Sequence, residues 1–111
     1  MHVLFLFLYL YLFCLCFTAK CAYYGEPGTT GEQTANGERF NPMGLTASAL
    51  PHVPIGTVLQ VTNQRNGRSI TVRVNDRLAG VSDDTLDLSY GTFGLMDSHN
   101  NGVFPCSYSS I

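Results

Sequence analysis

The chain divides into an apolar run over 1–17 and a longer stretch in which apolar and polar positions alternate over short distances. A membrane-spanning helix needs about 20 apolar residues. The run is slightly shorter than this, begins at Met1 and leads into Thr18-Ala19, which is typical of a secretory signal peptide cleaved near Ala19. An uncleaved anchor is the alternative. The pattern therefore predicts a signal peptide over 1–19 and one small domain over 20–111.

After residue 19, short β-branched runs are separated by Gly, Pro and Asn, and no long stretch has helical periodicity. The clearest strands are 57–63 and 69–74, and the Asn-Gly pair between them predicts a hairpin. Pro105 indicates an edge strand or a bulge, because proline has no N–H to donate. One or two helical turns are predicted over 90–96. Weaker runs predict further strands at 22–24, 45–48, 85–89 and 102–108. The fold class is therefore mainly β, a small closed barrel with at most one or two short helices.

Charge narrows the range of partners. All 6 Lys and Arg and all 8 Asp and Glu lie after residue 19, so the predicted domain keeps the formal net charge of -2. A protein that grips nucleic acid by neutralising phosphates is normally strongly basic. We therefore do not expect nucleic acid as a partner.

Two of the four cysteines lie in the predicted signal peptide, which leaves one candidate pair in the domain. Cys14 and Cys16 lie in the apolar run, which leaves Cys21 and Cys106 near the two ends of the domain. In an oxidising compartment they would form a disulfide, with a stabilisation of about 4 kcal/mol on the chain-entropy model. The alternative for Cys21 is a lipid anchor, but Lys20 directly before it stands where a lipoprotein signal requires a small residue. We expect the disulfide and no lipid.

Two carboxyl groups carry the candidate chemistry. Glu38 lies in the polar stretch 34–42 and Asp76 follows an apolar strand at 74–77. Cleavage of a glycosidic bond needs a carboxyl group that protonates the leaving oxygen, often with a second carboxylate across the cleft. From the residues alone, a turn cap or an ion pair is the favoured role for Asp76, and Glu38 is interpreted as a solvated charge. The three histidines lack paired ligand spacing, so no metal site is predicted.

Eight phrases in order resemble an RlpA-like (rare lipoprotein A) domain, and together they cover nearly all of the chain after residue 19. The resemblance implies a six-stranded double-psi β-barrel related to the barrels of expansins. The phrases are Ala22-Tyr23-Tyr24-Gly25, Thr34-Ala35-Asn36-Gly37-Glu38, Leu45-Thr46-Ala47, Pro54-Ile55-Gly56-Thr57, Val61-Thr62-Asn63, Asn66-Gly67-Arg68-Ser69, Val74-Asn75-Asp76-Arg77 and Asp87-Leu88-Ser89.

The resemblance implies a secreted endolytic lytic transglycosylase that cleaves naked peptidoglycan glycan strands and leaves 1,6-anhydromuramyl ends. Such an enzyme is a carbon-oxygen lyase and needs no cofactor. The family's catalytic Glu and Asp fall on Glu38 and Asp76, and it is open which of them is the acid. We expect a monomer that is secreted, or periplasmic and cell-wall associated. The residues predicted to bind substrate are Tyr24, Asn36, Asn75, Arg77 and His52.

The chain departs from the family where a histidine is usual. The family shows Thr-Ala-Ala-His eleven residues after the Glu, and here the stretch over 46–49 ends in Ala49. His52 follows three residues later and is the candidate replacement. The family's Arg-Gly-Pro-Phe is likewise Arg-Leu-Ala-Gly over 77–80. These departures favour an alternative, a non-catalytic expansin-like protein that binds or loosens wall polysaccharide, and a secreted inhibitor or defence protein on the same barrel is a third class.

Overall fold

Strands in the computed structural model, which describes residues 16–28, 32–78 and 84–111, close into a barrel in the order β1-β5-β2-β4-β3-β6. One helix, α1 (Tyr90–Met96), and a 3-10 turn (His99–Asn101) follow β5 in the chain. The mainly β closed barrel predicted from the sequence is therefore confirmed. The strands are β1 (Phe17–Tyr24), β2 (Thr46–Ala49), β3 (Val58–Asn63), β4 (Ser69–Arg77), β5 (Thr85–Ser89) and β6 (Phe104–Ser110).

Two pairs of neighbouring strands, β1 with β5 and β2 with β4, are parallel, and the other pairs around the barrel are antiparallel. Alternate positions of each strand face a common core, because successive side chains of a strand point to opposite faces. The core is built mainly from small and branched side chains, with Phe93 and Phe104 as its largest members. Its strand residues include Ala47, Ala49, Leu59, Val61, Val72, Val74, Leu86 and Leu88.

The predicted hairpin is confirmed, since β3 and β4 pair antiparallel on either side of the Asn-Gly connection. Gly67 has a φ of 76°. Asn66 contributes through its side chain, whose Oδ1 accepts a hydrogen bond from the backbone N–H of Arg68 at 2.9 Å. The turn thus uses the conformational freedom of one residue and the side-chain acceptor of the other.

Helix α1 spans the predicted residues in spite of its two glycines. Its N-cap is Ser89, whose hydroxyl accepts from the backbone N–H of Thr92 at 3.2 Å. A Cβ at Gly91 would come within 2.9 Å of the Cα of Met43, so the loop before β2 can pack there only against glycine. The glycine that weakens the helix is therefore required by a tertiary contact.

Strand β1 is longer than predicted and begins at Phe17 rather than Ala22. Its first residues form antiparallel pairs with β6, such as Phe17 with Tyr108. Residues 17–19 belong to the predicted signal peptide as well as to this strand, while the rest of that segment, up to residue 15, lies outside the described residues. The signal peptide and its cleavage position stay predictions.

The interpretation of Pro105 as an edge or bulge residue is wrong, because β6 is paired on both sides, with β1 and with β3. Proline fits because the pairing with β3 starts one residue later, at Cys106 opposite Asn63. The carbonyl of Pro105 accepts from Gln64 N–H at 2.9 Å, just beyond the end of β3. The missing N–H therefore falls where the β3 ladder has ended.

The predicted disulfide joins Cys21 of β1 to Cys106 of β6, with their Cα atoms 6.0 Å apart. It links residues separated by 85 positions in the sequence and lies in the fully buried core. In the described part of the chain, no helix is long and apolar enough to cross a membrane.

Candidate active site

The segment 34–38 folds into a tight turn that packs against the end of β4. Gly37 N–H donates to the Thr34 carbonyl at 2.9 Å, and Thr34 N–H donates to the Glu38 carbonyl at 2.9 Å. Asn36 N–H donates to the Asn75 carbonyl at 3.2 Å, which fixes the turn on the strand. We call this segment the acidic turn. It brings Glu38 and the end of β4 into one place.

A bulge in β4 decides which way Asp76 faces. The register of β2 against β4 runs from Ala47 opposite Val74 directly to Ser48 opposite Asp76, so Asn75 is an extra residue. Without it, the two-residue repeat of a strand would direct Asp76 to the same side as Val74, into the core. The extra residue reverses this, and Asp76 shares the outer face with Ser48.

Asp76 is held by three donors. Its Oδ1 accepts backbone N–H groups from Ala35 at 3.0 Å and from Arg77 at 2.9 Å. Its Oδ2 accepts the hydroxyl of Tyr24 at 3.2 Å. Donors that approach from the acidic turn, from β4 and from β1 restrict the rotation of the carboxyl group, and Asp76 is partly exposed on the outer face of the barrel. The carboxyl is oriented rather than free to swing.

Tyr24 reaches Asp76 because Phe40 supports its ring. The two ring centroids are 4.9 Å apart, and Phe40 is buried. Gly25, next to Tyr24, has a φ of 71°, and a Cβ there would lie 2.1 Å from the Phe40 ring. Burial, and then the charge of Asp76, raise the pKa of the Tyr24 hydroxyl well above its usual range, so it stays a proton donor to the carboxylate.

Glu38 is the better-anchored carboxylate. Its Oε1 lies 2.9 Å from Nη1 of Arg73 and its Oε2 lies 3.2 Å from Nη2, a two-pronged ion pair. Nδ2 of Asn75 donates to Oε1 at 2.6 Å. The hydrogen bonds from Arg73 and Asn75 hold the pKa of Glu38 below its usual value of 4.5. The ion pair with the Arg73 cation favours the ionised form of Glu38, whereas the three donors to Asp76 are uncharged, so Glu38 is the less suitable of the two to give a proton.

Asp87 is a third carboxyl group on this face, which the sequence analysis did not single out. It lies in β5 opposite Ser48, which in turn lies opposite Asp76, so the three share the outer face. Burial raises the pKa of Asp87, and its charge also raises that of Tyr24. The alternation of Leu86 and Leu88 around it was the available signal, since it already directed Asp87 away from the core.

Asn36, Asn75 and Arg77 have contacts within the protein. The Oδ1 of Asn36 accepts from Glu38 N–H at 3.1 Å and from the Thr34 hydroxyl at 2.6 Å, so it shapes the acidic turn. Asn75 is buried, and its Oδ1 has no hydrogen-bond partner among the described residues. Substrate binding by these two asparagines stays a prediction.

Arg77 stabilises the loop after β2. Its Nη1 donates to the carbonyls of Ala49 at 3.2 Å, Leu50 at 2.7 Å and Val53 at 2.7 Å. Nη1 of Arg77 is therefore engaged in hydrogen bonds to the protein backbone. Substrate binding by Arg77 stays a prediction, and its observed contacts hold the loop after β2 in place.

His52 contacts a different group of residues. Its Nε2 lies 3.0 Å from the hydroxyl of Tyr108 and 3.7 Å from Oδ1 of Asp84. Ala49, where the family's histidine would stand, is fully buried in the core. In the described part of the chain, no hydrogen bond or ion pair connects His52 to Asp76 or Glu38. The described residues also contain no group of three His, Cys, Asp or Glu side chains placed to hold a metal ion.

Comparison with protein families identifies the barrel. The model of the family described as lytic transglycolase matches residues 17–108. The chain belongs to this family and has the RlpA-like double-psi β-barrel fold. The six strands, their closed order and the short helix agree with that assignment.

Relatives with the name RlpA share 42–48% identity with the chain. A "probable endolytic peptidoglycan transglycosylase RlpA" from Synechocystis is 48% identical over 82 residues, which are 74% of this chain and 25% of the relative. An "endolytic peptidoglycan transglycosylase RlpA" from Campylobacter jejuni is 44% identical over 84 residues, 76% of this chain and 30% of the relative. The chain thus spans about a quarter of the length of the curated relatives it matches.

Solved structures with the same fold are more distant in sequence. An apo expansin of Clavibacter michiganensis superposes with a TM-score of 0.71 at 22% identity, covering 87% of this chain and 50% of the expansin. A Streptomyces papain inhibitor superposes with a TM-score of 0.70 at 21% identity, covering 86% of this chain and 94% of the inhibitor. At these identities the likeness concerns the fold alone.

Proposed function

We propose that the domain is an endolytic peptidoglycan lytic transglycosylase that cleaves naked glycan strands, with Asp76 as the acid and base. The observation that carries this proposal is the orientation of Asp76 on the outer face by Ala35, Arg77 and Tyr24. The names of its relatives, endolytic peptidoglycan transglycosylases, supply the reaction class.

The chemistry uses one carboxyl group twice. The protonated carboxyl of Asp76 gives its proton to the oxygen between N-acetylmuramic acid and N-acetylglucosamine as the bond from that oxygen to the muramic C1 breaks. The resulting carboxylate then takes the proton from the muramic C6 hydroxyl, and the C6 oxygen bonds to C1. The products are a free N-acetylglucosamine hydroxyl and a 1,6-anhydro ring, so no water is consumed and the carboxyl is reprotonated.

Glu38 supports this reaction without taking part in the proton transfer. Its ion pair with Arg73 keeps it ionised and fixes the acidic turn, and the turn supplies the Ala35 N–H that orients Asp76. Asp87 is the competing acid, because burial raises its pKa and it faces the same surface. An Asp87→Asn variant with wild-type activity would leave the acid role to Asp76.

The proposal includes where and how the protein works. A wall-glycan substrate requires a secreted, periplasmic or wall-associated domain, reached through the predicted signal peptide, with no lipid anchor at Cys21. We expect a monomer to be sufficient for activity, because the carboxyl groups, Tyr24 and the acidic turn come from a single barrel.

Ala49 supports an alternative, a non-catalytic expansin-like protein that binds or loosens wall polysaccharide. The family's histidine is missing there, and His52 is bonded to Tyr108 instead. One experiment separates the two functions. The protein is incubated with amidase-treated, peptide-free glycan strands, and soluble products are analysed by mass spectrometry beside a heat-denatured control. The transglycosylase proposal expects 1,6-anhydromuramyl ends, whereas glycan pull-down without such products would support the alternative.

A further inference from the structure

A pocket of about 210 Å³ lies beside the proposed acid, on the same outer face of β2 and β4. It is lined by Glu38, Arg39, Asn41, Gly44, Leu45, Thr46, Arg73 and Asn75. Whole small-molecule sites usually measure about 300 Å³ or more. The pocket is therefore sized for a substituent of a sugar ring.

The pocket adjoins the position of the scissile bond. Thr46 of its wall pairs with Arg73, and Ser48, two residues further along β2, pairs with Asp76. Two residues of a strand advance by roughly 7 Å. A glycan strand with one bond at Asp76 can therefore place a substituent of a neighbouring sugar in the pocket.

The charge of the pocket favours an anion. Glu38 and Arg73 neutralise each other through their ion pair, which leaves the guanidinium of Arg39 as the excess charge. Arg39 is exposed, and within the described part of the chain its side chain has no hydrogen bond or ion pair. The pocket is thus positive in a protein whose formal net charge is -2. A guanidinium can bind a carboxylate through two parallel hydrogen bonds.

We propose that Arg39 binds the free lactyl carboxylate of N-acetylmuramic acid and thereby selects peptide-free strands. This inference rests on the proposed function. A stem peptide is attached through that carboxylate and converts it into a neutral amide, which also adds bulk that the small pocket does not admit. Strands built from N-acetylglucosamine alone lack the lactyl group. The free lactyl carboxylate therefore distinguishes naked muramyl strands from peptide-bearing strands and from strands of N-acetylglucosamine alone.

The test compares two preparations of one glycan. Amidase-treated strands with free lactyl carboxylates are measured beside the same strands after coupling of those carboxylates to methylamine. Binding is followed by calorimetry and cleavage by the release of 1,6-anhydromuramyl ends. We expect the wild-type protein to bind the free-carboxylate strands about tenfold more tightly, as for one charge-assisted contact at the surface, and added salt to reduce the difference.

Variants assign the preference to Arg39. Arg39→Gln is expected to bind both preparations equally, and Arg39→Lys to retain part of the preference. Arg68→Gln removes an exposed arginine of the β3–β4 hairpin and is expected to behave as the wild type. An unchanged preference in Arg39→Gln overturns the inference.

The outcomes also separate this inference from the proposed function. If the wild-type protein cleaves both preparations equally, the transglycosylase proposal holds and the selection by Arg39 fails. If it binds the free-carboxylate strands preferentially without cleaving them, the selection holds and the catalytic proposal fails. If it neither binds nor cleaves either preparation, both fail.

Discussion

The barrel contains two Tyr–Asp hydrogen bonds of the same chemistry in different surroundings. Tyr24 donates to Asp76 at 3.2 Å, and Tyr108 donates to Asp84 at 2.8 Å. Burial is the main cause that raises the pKa of each tyrosine, and the paired aspartate adds to it. The hydrogen bonds alone would not distinguish a functional pair from a structural one.

The neighbours make the difference. Asp76 also receives the backbone N–H of Ala35 from the acidic turn and lies one strand repeat from the positive pocket. Tyr108 instead contacts His52, whose Nε2 lies 3.0 Å from the tyrosine hydroxyl. The first pair lies at the proposed glycan site, whereas the second ties the loop after β2 to the barrel.

Replacement of the two aspartates should separate the pairs most strongly. Asp76→Asn is expected to lower the rate of anhydromuramyl release by about 10²–10⁴-fold, the usual contribution of a general acid or base. Asp84→Asn is the matched control and should keep the rate within a few-fold of the wild type. Rates are measured on peptide-free strands, and circular dichroism verifies that both variants fold. Equal losses in the two variants would contradict the distinction.

Loss of the disulfide should affect both pairs together, because it links the strands that carry the two tyrosines, β1 and β6. The double variant Cys21→Ala/Cys106→Ala is expected to lower the free energy of unfolding by about 4 kcal/mol on the chain-entropy model. Urea denaturation measures this change, and wild-type protein reduced with a thiol should give a similar value. A change below about 1 kcal/mol would mean that the barrel constrains these strands without the bridge.

Removal of each tyrosine hydroxyl tests the difference between the Tyr24–Asp76 and Tyr108–Asp84 pairs at the level of one hydrogen bond. A hydrogen bond to a charged group contributes about 1.5–3 kcal/mol. Tyr24→Phe is expected to lower kcat about tenfold, because Asp76 loses one of its orienting donors. Tyr108→Phe should lower the melting temperature and leave kcat unchanged at temperatures where it is folded. A fall in kcat for Tyr108→Phe alone would reverse the assignment.

The smallest effect concerns acid stability of the acidic turn. The pKa of Glu38 is lowered in the folded protein, so its ionised form stabilises the fold above the usual value of 4.5, and this stabilisation is lost as the pH falls below it. At the alkaline limit, the raised pKa values of Tyr24 and Tyr108 have the opposite consequence, and stability declines as the pH rises above 10.0. On the acid side, because the ionised form of Glu38 stabilises the fold, melting temperatures measured from pH 6 to 3 should fall less steeply in Glu38→Gln than in the wild type. An Arg73→Gln variant should show the same flatter profile, and unchanged profiles in both would exclude the ion pair as the cause.

Much of the fold could be predicted because its signals are local. Alternation located β5 and the β3–β4 hairpin, and the two cysteines outside the apolar run predicted the bridge that the structure contains. The start of β1 was missed, because Phe17 appears within an apolar run whose pairing with β6 is visible only in the folded barrel. Pro105 was misread for a similar reason. The pairing of β6 with β3 ends at Cys106, so no ladder hydrogen bond from β3 requires an N–H at Pro105, and this is visible only in the folded barrel.

The sequence by itself determined the mainly β architecture, the family resemblance and the two carboxyl groups worth testing, because periodicity and short phrases are properties of neighbouring residues. The tertiary structure decided the direction of Asp76, the pairing of Glu38 with Arg73 and the place of Asp87 on the same face. These features depend on the register between strands. Register is fixed when the whole barrel packs, and the extra residue Asn75 in β4 reverses the direction of every side chain that follows it.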